Sequence, residues 1–117
     1  MSESVLREKS KDFAKAIVFA MREVGEKHRE KVLTGQLTRS GTSIGANIHE
    51  AQYAQGRADF ISKLEIALKE CYESEYWLEL MYETNLIGEE TYKTLLHECG
   101  TIRRMLIASC TTMKANN

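Results

Sequence analysis

The chain has 117 residues with 16 basic and 17 acidic side chains, a formal charge of −1, which argues against a protein that holds nucleic acid by bulk electrostatics alone. Hydrophobic residues make up 43% and proline is absent; this suits one domain with one core, and the lack of any run of eighteen apolar residues excludes a membrane-spanning helix. The three cysteines, Cys71, Cys99 and Cys110, are odd in number and form no C-x-x-C pair, so neither a disulfide framework nor a zinc knuckle is indicated.

A first helix is predicted over about residues 3–26. Leu6, Ser10, Phe13, Ile17, Ala20 and Val24 alternate in steps of four and three, the spacing that places side chains along one helix face. Its early segment, "MSESVLREKSKD", is charged and lacks the apolar centre of a signal peptide, so a cytoplasmic protein is expected. Arg7, Lys9, Lys11, Lys15 and Arg22 are interleaved with Glu8, Asp12 and Glu23. That pattern reads as a solvated face, or as a basic stripe if an assembly repeats it. Gly25 and the polar "EKHREK" close the helix.

A second helix follows over about 31–54, with the seam Leu33, Leu37, Ser40, Ile44, Asn47, Ala51 and Ala54. Thr34 as its cap and a start near Arg29 are both open. At about 100° per residue, Leu37, Ser40, Ile44, Ile48 and Ala51 share the core face. Gly41 and Gly45 lie on one flank. Each glycine costs about 1 kcal/mol relative to alanine in a helix interior, and close approach of a neighbouring backbone can offset that. On the other flank Arg39, Ser43, Asn47 and Glu50 form a stripe. Asn47, placed in the seam, needs partners there, because an unpaired buried amide costs about 1–3 kcal/mol. A hydrogen-bonded polar rail is therefore expected along this flank. Its roles are register selection, as one polar residue in a seam provides, or a partner-binding or catalytic site.

Gly56 is expected to end the second helix and Asp59 to cap the third, which runs over about 59–84. Phe60, Leu64, Ala67, Cys71, Ser74, Leu78 and Met81 form its seam. Ile66 and Trp77 point a quarter-turn or more away, and Tyr76 and Leu80 lie nearly opposite. An apolar face of this kind on a free bundle marks a candidate contact surface between copies of the chain. Asn85 is positioned to end the helix. Glu89 and Glu90 suit the positive end of a fourth helix over about 89–114, whose seam is Tyr92, Leu95, Cys99, Ile102, Leu106, Ser109 and Met113. Cys71 and Cys99 fall on apolar faces and are expected inside. The final "KANN" is expected to fray.

No period-two alternation predicts strands. Short connections make sequential helices antiparallel, so the expected fold is all-α: an up-down-up-down, left-handed four-helix bundle forming one domain over 1–117. Enzyme signatures are missing. Metal-binding bundles carry Glu-x-x-His, but the residues three before His28, His49 and His97 are Gly25, Ala46 and Thr94. Ser43, His49 and Glu50 cannot converge within one helix as a catalytic triad, and no phosphate-cradling glycine loop occurs. Neither catalysis, a metal nor a cofactor is expected, and His49 and His97 are expected on the surface.

The stretch "LTRSGTSIGANIHEA" with "FISKLEIALKECYESEYWL" resembles the family of 23S ribosomal RNA intervening-sequence proteins. The resemblance rests on Arg39, Ser43-Ile44, Asn47-Ile48, Glu50, Phe60 and Leu64-Glu65-Ile66-Ala67, and it covers most of the chain. Ala51 and Lys69-Glu70 depart from the pattern, where many members have glycine and Gly-Ser. The resemblance implies a compact bundle that assembles into a ring, often a pentamer. Such proteins are similar to the accessory protein of diversity-generating retroelements, a basic ring that engages nucleic acid and a reverse transcriptase. The expected function is a non-enzymatic homo-oligomeric interaction module, with an RNA-binding accessory protein as the alternative. An RNA or a protein partner is left open.

Overall fold

The computed structural model describes residues 3–116, which form four helices: α1 (Glu3–His28), α2 (Val32–Ala51), α3 (Arg57–Glu83) and α4 (Glu89–Ala115). Their cross-helix pairs set the topology. Ile17 and Ser10 of α1 face Gly41 and Gly45 of α2. Arg39 and Glu50 of α2 meet Glu73 and Lys63 of α3. Tyr82, Glu75 and Glu65 of α3 meet Tyr92, Arg103 and Lys114 of α4. In each series the number rises in one helix as it falls in the next, so α1 to α4 alternate in direction. Each helix touches its two neighbours around the bundle, and no diagonal pair packs together among the described residues. The result is a rod of 48 × 22 × 19 Å.

The turns explain the helix ends. α1 continues through Gly25 and stops at Arg29, which adopts the left-handed region (φ 55°). The Glu30 carboxylate then accepts the Leu33 N–H at 3.1 Å, satisfying one of the free donors at the start of α2. Thr34 lies inside α2, donating its hydroxyl to the Glu30 carbonyl. α2 ends at Ala51, three residues before the sequence-based boundary. There the N–H groups of Gln52, Tyr53 and Ala54 donate to carbonyls three residues back, the tighter 3₁₀ pattern common at helix ends. Gly56 therefore precedes α3 in an extended conformation rather than closing α2. Asp59 sits in the first turn of α3, where it accepts the Gln55 N–H. Asn85 (φ 65°) ends α3. Leu86 N–H donates to the Met81 carbonyl at 2.8 Å and Asn85 N–H to that of Tyr82 at 3.1 Å, the paired bonds of a Schellman motif.

The core runs the length of the rod. Phe13, Ile17, Leu37, Ile44, Leu78, Met81, Ile102 and Leu106 are fully buried. The seam of α3 is buried without a break from Leu64 to Met81. At one turn in each of the other helices the buried residue is the one after the seam position: Met21 rather than Ala20, Ile48 rather than Asn47, and Cys110 rather than Ser109, while Val24 and Ala51 beyond the first two are buried as the seam predicts. Asn47 is accordingly on a half-exposed flank, which corrects its assignment to the seam. Among the described residues the buried polar ones are Ser10, Ser40, Ser74 and Thr34. Ser74 Oγ donates to Ser40 Oγ at 2.9 Å, and both residues are fully buried.

Candidate interaction surface

The small residues of α2 lie against α1. A Cβ on Gly41 would sit 3.0 Å from Ile17 Cγ1, and one on Gly45 would sit 3.3 Å from the Ser10 carbonyl oxygen. These approaches bring the two helices nearer than ordinary side chains allow, a gain that offsets the weak helix propensity of glycine.

On the other flank of α2 the four polar residues do not bond to one another's side chains as a rail. Arg39 reaches across to α3, where its guanidinium pairs with Glu70 at 3.4 Å and with Glu73. Glu73 also accepts the indole N–H of Trp77 at 2.9 Å. Asn47 donates to the backbone carbonyl of Ser43 at 2.8 Å, and Glu50 pairs with Lys63 of α3 at 3.3 Å. Arg39 and Glu50 thus staple α2 to α3 at two levels, while Asn47 and Ser43 form a local contact between them. Exposed ion pairs contribute little individually, about 0–1 kcal/mol. Here the Arg39–Glu73–Trp77 sequence chiefly fixes an orientation.

Trp77 is half-buried and packed on the core, and its ring meets Tyr76 edge-on with centroids 5.1 Å apart. Leu80 is also half-buried. Ile66 and Tyr76 are open to solvent, at 39% and 58% exposure. The α4 side of the same helix carries Tyr72, 52% exposed, with the Arg103 guanidinium 5.6 Å above its ring. Arg103 Nε donates to Glu75 at 2.8 Å, and this bond holds the guanidinium firmly protonated. The wheel had not singled out Tyr72, because it is off the seam without being opposite it. Its aromatic type on an otherwise charged face was the available signal. Phe19, Val32 and Tyr53 are further exposed apolar residues beyond those singled out by sequence.

His49 and His97 are exposed; His49 packs against the Tyr53 ring at 5.5 Å. Among the described residues no cluster of three or more His, Cys, Asp or Glu side chains is placed to hold a metal. No helix among them is long and apolar enough to cross a membrane. Hydrogen bonding to Cys71, reinforced by burial, raises the Cys99 thiol far above the ordinary range, and burial raises that of Cys110. A cleft of about 950 Å³ opens at the end of the bundle where α1 begins and α4 finishes, floored by Leu6, Ile48, Phe60, Leu64 and Met105.

The four antiparallel helices make an all-α bundle, with α2 stapled to α3 by ion pairs and aromatic side chains on the outer side of α3. The chain belongs to the 23S rRNA-intervening sequence protein family, whose model matches residues 2–108. A crystal structure of a protein of unknown function from the S23 ribosomal protein family of Bacteroides thetaiotaomicron is similar, with 46% identity and a TM-score of 0.93. The match covers 95% of this chain and 99% of that one. No curated relative matches the sequence.

Proposed function

We propose that this protein is a non-enzymatic, homo-oligomeric interaction module whose self-contact is made by the outward face of α3. The observation that carries this is the pairing of a fixed aromatic with open ones. Trp77 is held by Glu73, while Tyr76 next to it and Ile66, about three turns earlier in α3, are exposed to solvent. Pre-ordered aromatic side chains lose little entropy on docking and are enriched at contact centres. A ring of five copies is what the family resemblance implies for the assembly. Three free buried thiols support a reducing, cytoplasmic setting.

Sedimentation velocity and native mass spectrometry test the proposal. The chain should assemble at tens of micromolar, and Ile66→Lys with Tyr76→Lys should return it to monomer without lowering the unfolding midpoint of the separated chain. A wild-type monomer at that concentration would remove the proposal.

A nucleic-acid-binding accessory role is the second reading. What favours it is that no Asp or Glu follows Glu98 in the chain, while Arg103 and Arg104 occupy the outer side of α4 in that stretch.

A further inference from the structure

We infer that Gly100, Arg103 and Arg104 of α4, with Tyr72 of α3 beside them, form a binding site for the phosphodiester backbone of single-stranded nucleic acid. This rests on the second reading above and supplies its site.

Gly100 is buried in the interior of α4, where alanine would be about 1 kcal/mol more favourable by helix propensity. What covers it is arginine. A Cβ at Gly100 would sit 3.2 Å from Arg104 Nη1 and 3.5 Å from Arg103 Nη2. The two guanidinium groups therefore fold back and converge on one patch of helix, and the missing side chain is what makes room for them. Bringing two like charges together is unfavourable unless something offsets it. Glu75 neutralises Arg103. Among the described residues Arg104 has no carboxylate partner; its recorded contact is a long one to Thr101 Oγ1, 3.4 Å. The helix dipole gives no reason for this placement, since its influence falls off within the last turn and α4 continues to Ala115.

The patch thus keeps, on Arg104, one positive charge with no carboxylate partner among the described residues, beside a second guanidinium already paired with Glu75. A phosphate offers two or more oxygens to such a pair, and the planar guanidinium fork suits it better than an ammonium does. The half-exposed Tyr72 ring, alongside Arg103, adds an aromatic surface for an adjoining base. A strand gains over a free phosphate ion, because copies of the site in an assembly engage phosphates several nucleotides apart on one polymer.

The experiment is fluorescence anisotropy with labelled 20-nucleotide oligouridylate and oligothymidylate, each over a salt series. The proteins are wild type, Arg104→Gln, Gly100→Ala and, as a control for the basic residues of α1, Lys11→Gln. Arg104→Gln should weaken binding about tenfold and flatten the dependence of log K on log salt by about 0.7 for each phosphate released. Gly100→Ala, which displaces the guanidinium while retaining its charge, should weaken binding by a smaller factor. Lys11→Gln should stay within about twofold of wild type. Arg104 is exposed, so its variant should melt with the wild type. Preference for one oligonucleotide identifies whether RNA or DNA is the natural strand. If wild type binds neither strand at low salt, the site and the second reading both fall. If wild type binds and Arg104→Gln binds equally well, the site is refuted while the second reading stands.

Discussion

The buried serine pair offers a prediction whose sign pattern no simple contact tally produces. The Ser74 hydroxyl donates to Ser40, and Ser40 donates onward to the Leu37 carbonyl at 3.5 Å. Replacing Ser40 by alanine leaves a fully buried donor on Ser74 without its partner, a loss of about 1–3 kcal/mol. The Ser74 hydroxyl can swing to the carbonyl one turn behind it, as helical serines do, which brings the cost to the lower part of that range. Replacing Ser74 leaves Ser40 with its own acceptor and removes a net interaction of about 0.5–1.5 kcal/mol. Replacing both exchanges a matched polar pair for two methyl groups of similar size, which is near neutral. The two single losses should therefore exceed the double loss, giving a coupling of about 1 kcal/mol or more. Urea unfolding followed by helical dichroism at a fixed protein concentration measures it, the fixed concentration being needed wherever assembly contributes. A double variant whose loss equals the sum of the singles would show that the two hydroxyls do not act as a pair.

Opposite signs are expected at two glycines of α2. Gly35→Ala meets nothing within 4 Å and should raise stability by about 0.5–1 kcal/mol through helix propensity, whereas Gly41→Ala presses on the stiff, fully buried Ile17 at about 1–3 kcal/mol and should lower the melting temperature. Glu73→Ala removes the carboxylate that joins Arg39 to the lone tryptophan; Trp77 emission should move to longer wavelength with the helix content unchanged, and an unaltered spectrum would mean the indole is held by packing alone. The Cys99 thiol, raised by hydrogen bonding to Cys71 and by burial, keeps its proton in the fold while the unfolded chain releases it near pH 8.5. Its contribution is full below that pH and is lost as pH rises beyond it, so between pH 8 and 10 the wild-type melting temperature should fall more steeply than that of Cys99→Ala.

Periodicity made the core legible because burial follows the helical repeat, and where it misled it did so in one direction. A seven-residue seam drifts by about 20° per heptad on a straight helix of 3.6 residues per turn. At one turn in each of α1, α2 and α4 the nominal seam residue is turned partly outward and its successor inward, although Val24 and Ala51, one step later in α1 and α2, are buried as the seam predicts. Met21 and Cys110 are buried where Ala20 and Ser109 were expected, and Ile48, which the wheel already placed on the core face, is buried while Asn47 is not. Asn47 was thus read as a buried amide needing satisfaction, when it is a flank residue bonded to its own helix. The helix ends were readable where a residue needs the left-handed region, as Asn85 does. Gly25 misled because its presence permits a break without requiring one, and the break falls at Arg29 instead.

The polar flank was legible as a set of residues but not as a set of bonds. A helical wheel reports which residues of one helix share a face; it carries no register between α2 and α3. Arg39 finds Glu73 across 34 positions and Glu50 finds Lys63 across 13, pairings fixed by how far the antiparallel helices slide before Ser40 meets Ser74. That register has a consequence for binding. Arg39 and Glu50 are engaged within the bundle, so a partner approaching them must displace an existing ion pair, which cancels much of the gain from a new one. Ile66 and Tyr76 hold no such commitment, and burying their apolar surface is favourable at about 25 cal/mol per Å². A contact that reads this bundle therefore gains more by centring on the outer face of α3 and using the Arg39–Glu73 staple as its rigid margin than by centring on the staple itself.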